Sequence, residues 1–143
     1  MPRIALLLGV AGLVPFVSLA AAIASMMDLG VLSPRVLHMM LITYAALIAS
    51  FLGGVRWGNA LRADQTPTAD YIISVIPSLV AWLGLATPRP FDLIVMAGLF
   101  LALAVSDIGH VLKGHAPRWY GQLRVGLTAV ATLSLLVPLF VES

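Results

Sequence analysis

Cysteine is absent from the 143 residues, and charged residues make up only 10% of them. The first absence excludes disulfides, thiolate nucleophiles, and cysteine-ligated zinc or iron–sulfur clusters. The second excludes a water-coated globule, since soluble domains carry about 25% charged residues. What fills the chain instead is apolar: 61% hydrophobic residues and a mean hydropathy of +1.05. A chain of this kind is expected to sit in a lipid bilayer, its first partner. Its pI near 9.5 reflects an excess of only two positive charges. That is too few to coat a nucleic-acid-binding face, and no nucleic-acid partner is expected.

Five apolar runs are present, at residues 4–26, 36–57, 71–86, 91–112 and 123–141. A helix needs about 20 residues, within a range of about 17–25, to cross the hydrocarbon. Four runs reach that length, and the third does so by borrowing residues at its ends. Their length and lack of two-residue alternation exclude barrel strands, which leaves helices. Prolines punctuate the connections at Pro34, Pro67, Pro88, Pro90 and Pro117, where a helix start loses no hydrogen bond. The expectation is an all-α bundle of five transmembrane helices forming a single domain over residues 1–143. The first run has a second reading, as a signal peptide ending in the small residues Ala20, Ala21 and Ala22. Its apolar stretch is longer than the ~7–15 residues of such a segment, so a retained span is expected.

Lysine and arginine set the orientation. With a cytoplasmic N-terminus, that side receives Arg3, Arg56, Arg62, Lys113, Arg118 and Arg124, and the far side only Arg35 and Arg89. The C-terminus is then expected on the opposite side. Arg56, Trp57, Asp70, Tyr71, Asp107, His110, Trp119, Tyr120 and Arg124 fall near one membrane face. Asp28, Arg35, His38, Arg89, Asp92 and Glu142 fall near the other.

The second run ends in "SFLGGVRWG", residues 50–58. Ala46, Ser50, Gly54 and Gly58 are spaced four apart with Gly53 beside them, and Gly98, Ala102 and Ser106 repeat the spacing in run four. Such stripes let membrane helices approach closely, and runs two and four are expected to pack along them. A groove lined by small residues is the competing reading. Arg56 either reaches lipid headgroups or turns inward to Asp107. Asp107 lies near the C-terminal end of its run, where the helix dipole disfavours an anion. It calls for a cation or strong donors, and Arg56, Arg124 and His110 are the candidates. An ion pair, a ligand or proton site, and simple exposure to water are the three readings of Asp107. Arg118, Trp119 and Tyr120 read as an interfacial anchor.

Of the three histidines, His38, His110 and His115, His38 starts run two on one side and His110 ends run four on the other, too far apart to hold one haem. Asp107 with His110 and His115 makes a thin metal set, so no metal and no other cofactor is expected. Ser50, Ser74 and Ser106 have no histidine placed beside them by any motif. No H-E-x-x-H pattern, paired intramembrane aspartates or phosphate loop occurs, and no catalytic residue is expected.

The motifs "SFLGGVRWG" at 50–58, "VIPSL" at 75–79, the Asp107 helix end and "PRWYGQLR" at 117–124 follow one another in order. In these the chain resembles the domain of unknown function 3429 family, the transmembrane protein 69-like small membrane proteins. The resemblance covers nearly the whole chain. Where that family often has histidine before the tryptophan this chain has Arg56, so a role needing an imidazole there does not carry over. The family's occurrence in bacteria and mitochondria implies an energy-transducing membrane, here the bacterial cytoplasmic (inner) membrane. The function expected is that of a non-enzymatic accessory or assembly subunit, with other membrane subunits of a respiratory or photosynthetic complex as partners. The alternative is binding or transport of a hydrophobic small molecule such as a quinone, lipid or tetrapyrrole.

Overall fold

Each apolar run is a helix, and each helix begins at a proline or immediately after one. The computed structural model describes residues 2–25 and 32–141. Met26, Asp28 and Glu142, which the sequence reading used, lie outside the described residues. The helices are α1 (Arg3–Ala24), α2 (Pro34–Arg62), α3 (Thr68–Leu85), α4 (Phe91–Leu112) and α5 (Arg118–Val141). All five are long and apolar enough to cross a membrane.

Ser33 starts α2: its hydroxyl accepts from the Val36 N–H, and Pro34 occupies the first helical position. The helix runs five residues past the apolar stretch, to Arg62. It ends where the Ala60 carbonyl is taken by the Thr66 hydroxyl at 2.7 Å and the Tyr71 hydroxyl at 3.3 Å. These side chains satisfy a carbonyl that has lost its helical partner. Gly114, with φ of +78°, lets the chain leave α4 in a left-handed turn, closed by the His115 N–H on the His110 carbonyl at 2.9 Å.

The helices lie side by side in chain order, and α5 closes the ring against α1, with α4 also touching α2 across the interior. Phe16 of α1 meets Tyr44 of α2 and Phe100 of α4 edge to face, with ring centroids 5.0 and 5.7 Å apart. Leu41, Ala45 and Ala49 of α2, Met96 of α4 and Leu135 of α5 complete a fully buried centre. The outer surface is a belt of exposed leucine, valine and phenylalanine. In water such a surface would drive aggregation; in hydrocarbon it is the solvated face.

The small-residue stripes do not meet as the spacing suggested. Gly98 and Ala102 are exposed on the outside of α4, and a side chain at Gly98 would touch nothing. The reason is rotation. Met96, Phe100 and Leu103 turn inward, and Gly98 lies two residues, about 200°, from both Met96 and Phe100. On α2 the close seam runs one residue over from the expected stripe, through Ala45, Ala49 and Gly53, all buried. It faces α3. A Cβ on Gly53 would lie 2.4 Å from the Ser74 carbonyl oxygen and 3.5 Å from the Pro77 ring, whereas one on Gly54 or Gly58 would meet nothing.

Candidate functional site

Two polar clamps hold the bundle, one near each end. They are separated on α2 by the 18 residues from His38 to Arg56, about 27 Å of helix at 1.5 Å per residue. That is close to the ~30 Å hydrocarbon thickness. Each clamp therefore falls near a boundary, where a charge costs less than at the bilayer centre.

The clamp made by the C-terminal parts of α2 and α4 with the start of α5 centres on Asp107, which is 6% exposed. Its Oδ2 accepts from Arg124 Nε at 2.7 Å, and its Oδ1 faces Arg56 Nη2 at 3.6 Å. Arg56 also donates to the Ser106 hydroxyl. Arg124 itself is only 5% exposed. Arg56 thus lies inward, and Asp107 meets two of the cations that the sequence proposed for it. The other candidates go elsewhere. Trp57 packs edge to face on Tyr71 at 5.1 Å, and His110 lies against His115 with ring centroids 5.8 Å apart. Trp119 and Tyr120 pack edge to face at 6.2 Å, while Arg118 is exposed. Ser50 turns back on its own helix, donating to the Ala46 carbonyl at 2.9 Å.

The opposite clamp was not anticipated as a pair. His38 Nε2 and Asp92 Oδ2 are 2.7 Å apart, both residues buried. Asp92 also accepts from the Leu93 N–H at 2.8 Å, in the first turn of α4, where the helix dipole favours an anion. The available signal was the alternation of the helices, which brings the starts of α2 and α4 to the same face.

The donors of the Asp107 clamp outnumber its acceptors. Arg56 Nε and Arg124 Nη2 are buried without a hydrogen-bond partner, as is the Thr128 hydroxyl one turn along α5. Arg124 and Thr128 line a cavity of about 140 Å³ whose other walls are apolar, supplied by Gly12 and Phe16 of α1, Ile48 and Phe51 of α2, Phe100 of α4 and Ala131 of α5. A wider groove lies along the outside, between the end of α4 and the start of α5, lined by Val111, Arg118, Gly121 and Val125 among others. Among the described residues, no three histidine or carboxylate side chains stand together as a metal site would need.

A family model described as "Protein of unknown function (DUF3429)" matches residues 1–140. The chain belongs to this family. Among curated proteins it is 38% identical over 148 residues to Transmembrane protein 69 of Xenopus tropicalis, covering 99% of this chain and 56% of that one. It is 33% identical over 146 residues to Transmembrane protein 69 of Mus musculus, covering 99% of this chain and 58% of that one. The chain thus spans a little over half the length of these relatives. No solved structure matches. This DUF3429 chain is a multi-pass membrane protein, and its ordered motifs meet in space. Gly53 of the first abuts Ser74, beside the second, and Pro77 within it. Arg56 of the first, Asp107, and Arg124 of the last form one clamp.

Proposed function

We propose that this protein is a non-enzymatic assembly component of an energy-transducing inner membrane, holding other membrane-embedded subunits of a respiratory or photosynthetic complex. The observation that carries this reading is the pair of outward small-residue surfaces, Gly54 and Gly58 on α2 and Gly98 and Ala102 on α4. A Cβ on any of these glycines would meet nothing within 4 Å. In lipid, small residues on an outer face let a second helix approach backbone to backbone. Both interior carboxylates, Asp92 and Asp107, are meanwhile engaged in the clamps. The test is purification in mild detergent with quantitative mass spectrometry of co-purifying subunits. A membrane subunit present in stoichiometric amount is expected, and Gly98→Leu or Gly54→Leu should reduce its recovery at least fivefold while leaving the helical content unchanged. A monodisperse chain with no partner overturns the reading.

A second reading, binding of a hydrophobic small molecule, is favoured by the cavity at Arg124 and Thr128, where buried donors have no protein acceptor.

A further inference from the structure

Two guanidinium groups share one carboxylate in the Asp107 clamp, so it carries a formal excess of one positive charge inside the bundle. An uncompensated buried charge is strongly unfavourable where the dielectric is low. A guanidinium only donates hydrogen bonds, and a threonine hydroxyl can donate one. Arg124 Nη2 and Thr128 Oγ1 are both buried and unpartnered, and both residues line the same cavity. They are four residues apart on α5, so their side chains stand on one helix face, about 5–6 Å apart at Cβ. One acceptor group can therefore reach both.

The cavity selects further. Its volume of about 140 Å³ is close to the ~150 Å³ of an apolar cavity that stays dry and holds benzene. It is too small for a tetrapyrrole. It has room for a small head and the first few carbons of a chain. Leu8 of α1 and Phe51 of α2, each 65% exposed, border it on the outer surface, so it opens sideways toward lipid. A neutral quinone carbonyl or a water would accept the hydrogen bonds but leave the excess charge unbalanced. An oxyanion satisfies both.

We propose that this cavity binds the oxyanion head, carboxylate or phosphate, of a membrane amphiphile, with Arg124 and Thr128 holding the head and the tail leaving past Leu8 and Phe51 into the bilayer. The proposal rests on the small-molecule reading and names its ligand class.

The test is native mass spectrometry of the full chain in detergent with four probes: oleate, phosphatidylglycerol, inorganic phosphate and decylubiquinone. One molecule of oleate or phosphatidylglycerol should be retained per chain, and which of the two is retained identifies a carboxylate or a phosphodiester head. Thr128→Val keeps the shape and removes the hydroxyl. It should weaken retention about tenfold, as expected for a lost hydrogen bond to an ion, while the melting temperature of the unliganded protein stays unchanged. Ala131→Leu fills the cavity and should abolish retention. Binding that neither substitution alters overturns the site, and displacement by inorganic phosphate alone overturns the amphiphile. Retention of decylubiquinone alone, lost in Thr128→Val, overturns the oxyanion head but leaves the small-molecule reading standing. Retention of no probe removes both.

Discussion

At the scale of the residue, the Asp107 clamp sets two guanidiniums against one carboxylate, and this predicts unequal sensitivities within one cluster. Asp107→Asn leaves the Arg56 and Arg124 guanidiniums facing each other without a counter-charge. Breaking a buried pair in this way costs about 3–5 kcal/mol. Arg56→Gln removes the more distant cation, 3.6 Å from Asp107, and leaves the 2.7 Å contact with Arg124 in place. It also relieves the excess charge, so its net cost should be about 1 kcal/mol, near that of one ordinary hydrogen bond. Unfolding of the detergent-solubilised protein would measure both, and a larger loss for Arg56→Gln than for Asp107→Asn would refute the charge-excess account. The Asp107 cluster was legible in the sequence because an acid at a helix C-terminus is anomalous and demands a partner. Asp92 raised no such demand, since a helix N-terminus already favours it. Its pairing with His38 depends on how far α2 and α4 are turned toward one another, which composition and depth do not encode.

At the scale of the element, apolar length identified all five helices, and the fourth begins and ends at the expected residues, Phe91–Leu112. The helix faces were harder to read. A four-residue period of small side chains is compatible with any neighbour, because it states a spacing and not a direction. Direction comes from the bulky residues opposite, such as Met96 and Phe100, which must be buried together with Phe16. The adjacent glycines of "SFLGGVRWG" show the consequence. Gly53 lies against the α3 backbone, and Gly54 faces outward. Gly53→Ala must push α3 away, because the atom it meets is a backbone carbonyl and cannot rotate aside. A loss of about 1–3 kcal/mol is expected, the usual cost of overpacking. Gly54→Ala adds a methyl group in open space and gains helix propensity, at most about 1 kcal/mol. Thermal unfolding of the two variants in the same detergent should therefore shift in opposite directions. Destabilisation of equal size at both positions would contradict the rotation of α2.

For the whole molecule, the clamps alter how the basic residues count toward orientation. The sequence assigns six lysines and arginines to the face that carries the N-terminus and two to the other. Arg56 and Arg124 are engaged with Asp107 inside the bundle. The exposed basic residues are then Arg3, Arg62, Lys113 and Arg118 against Arg35 and Arg89. Topology follows the basic residues in the short loops and near the helix ends, and four against two still favours the first face as cytoplasmic. Two of the four, Lys113 and Arg118, flank the connection between α4 and α5. This predicts a sensitised variant. Lys113→Gln with Arg118→Gln removes half of the exposed basic residues on that face, leaving two against two and no exposed bias, while the Asp107 clamp stays intact. A reporter fused at the C-terminus should read the far side of the membrane in the parent chain: alkaline phosphatase active, green fluorescent protein dark. In the double variant a measurable fraction should invert. A parent chain that is fluorescent and phosphatase-negative would reverse the orientation. An inversion produced instead by Arg124→Gln alone would mean that insertion reads the basic residues before the clamp closes, so that the topology is set by the unfolded helices and the ion cluster forms only afterwards.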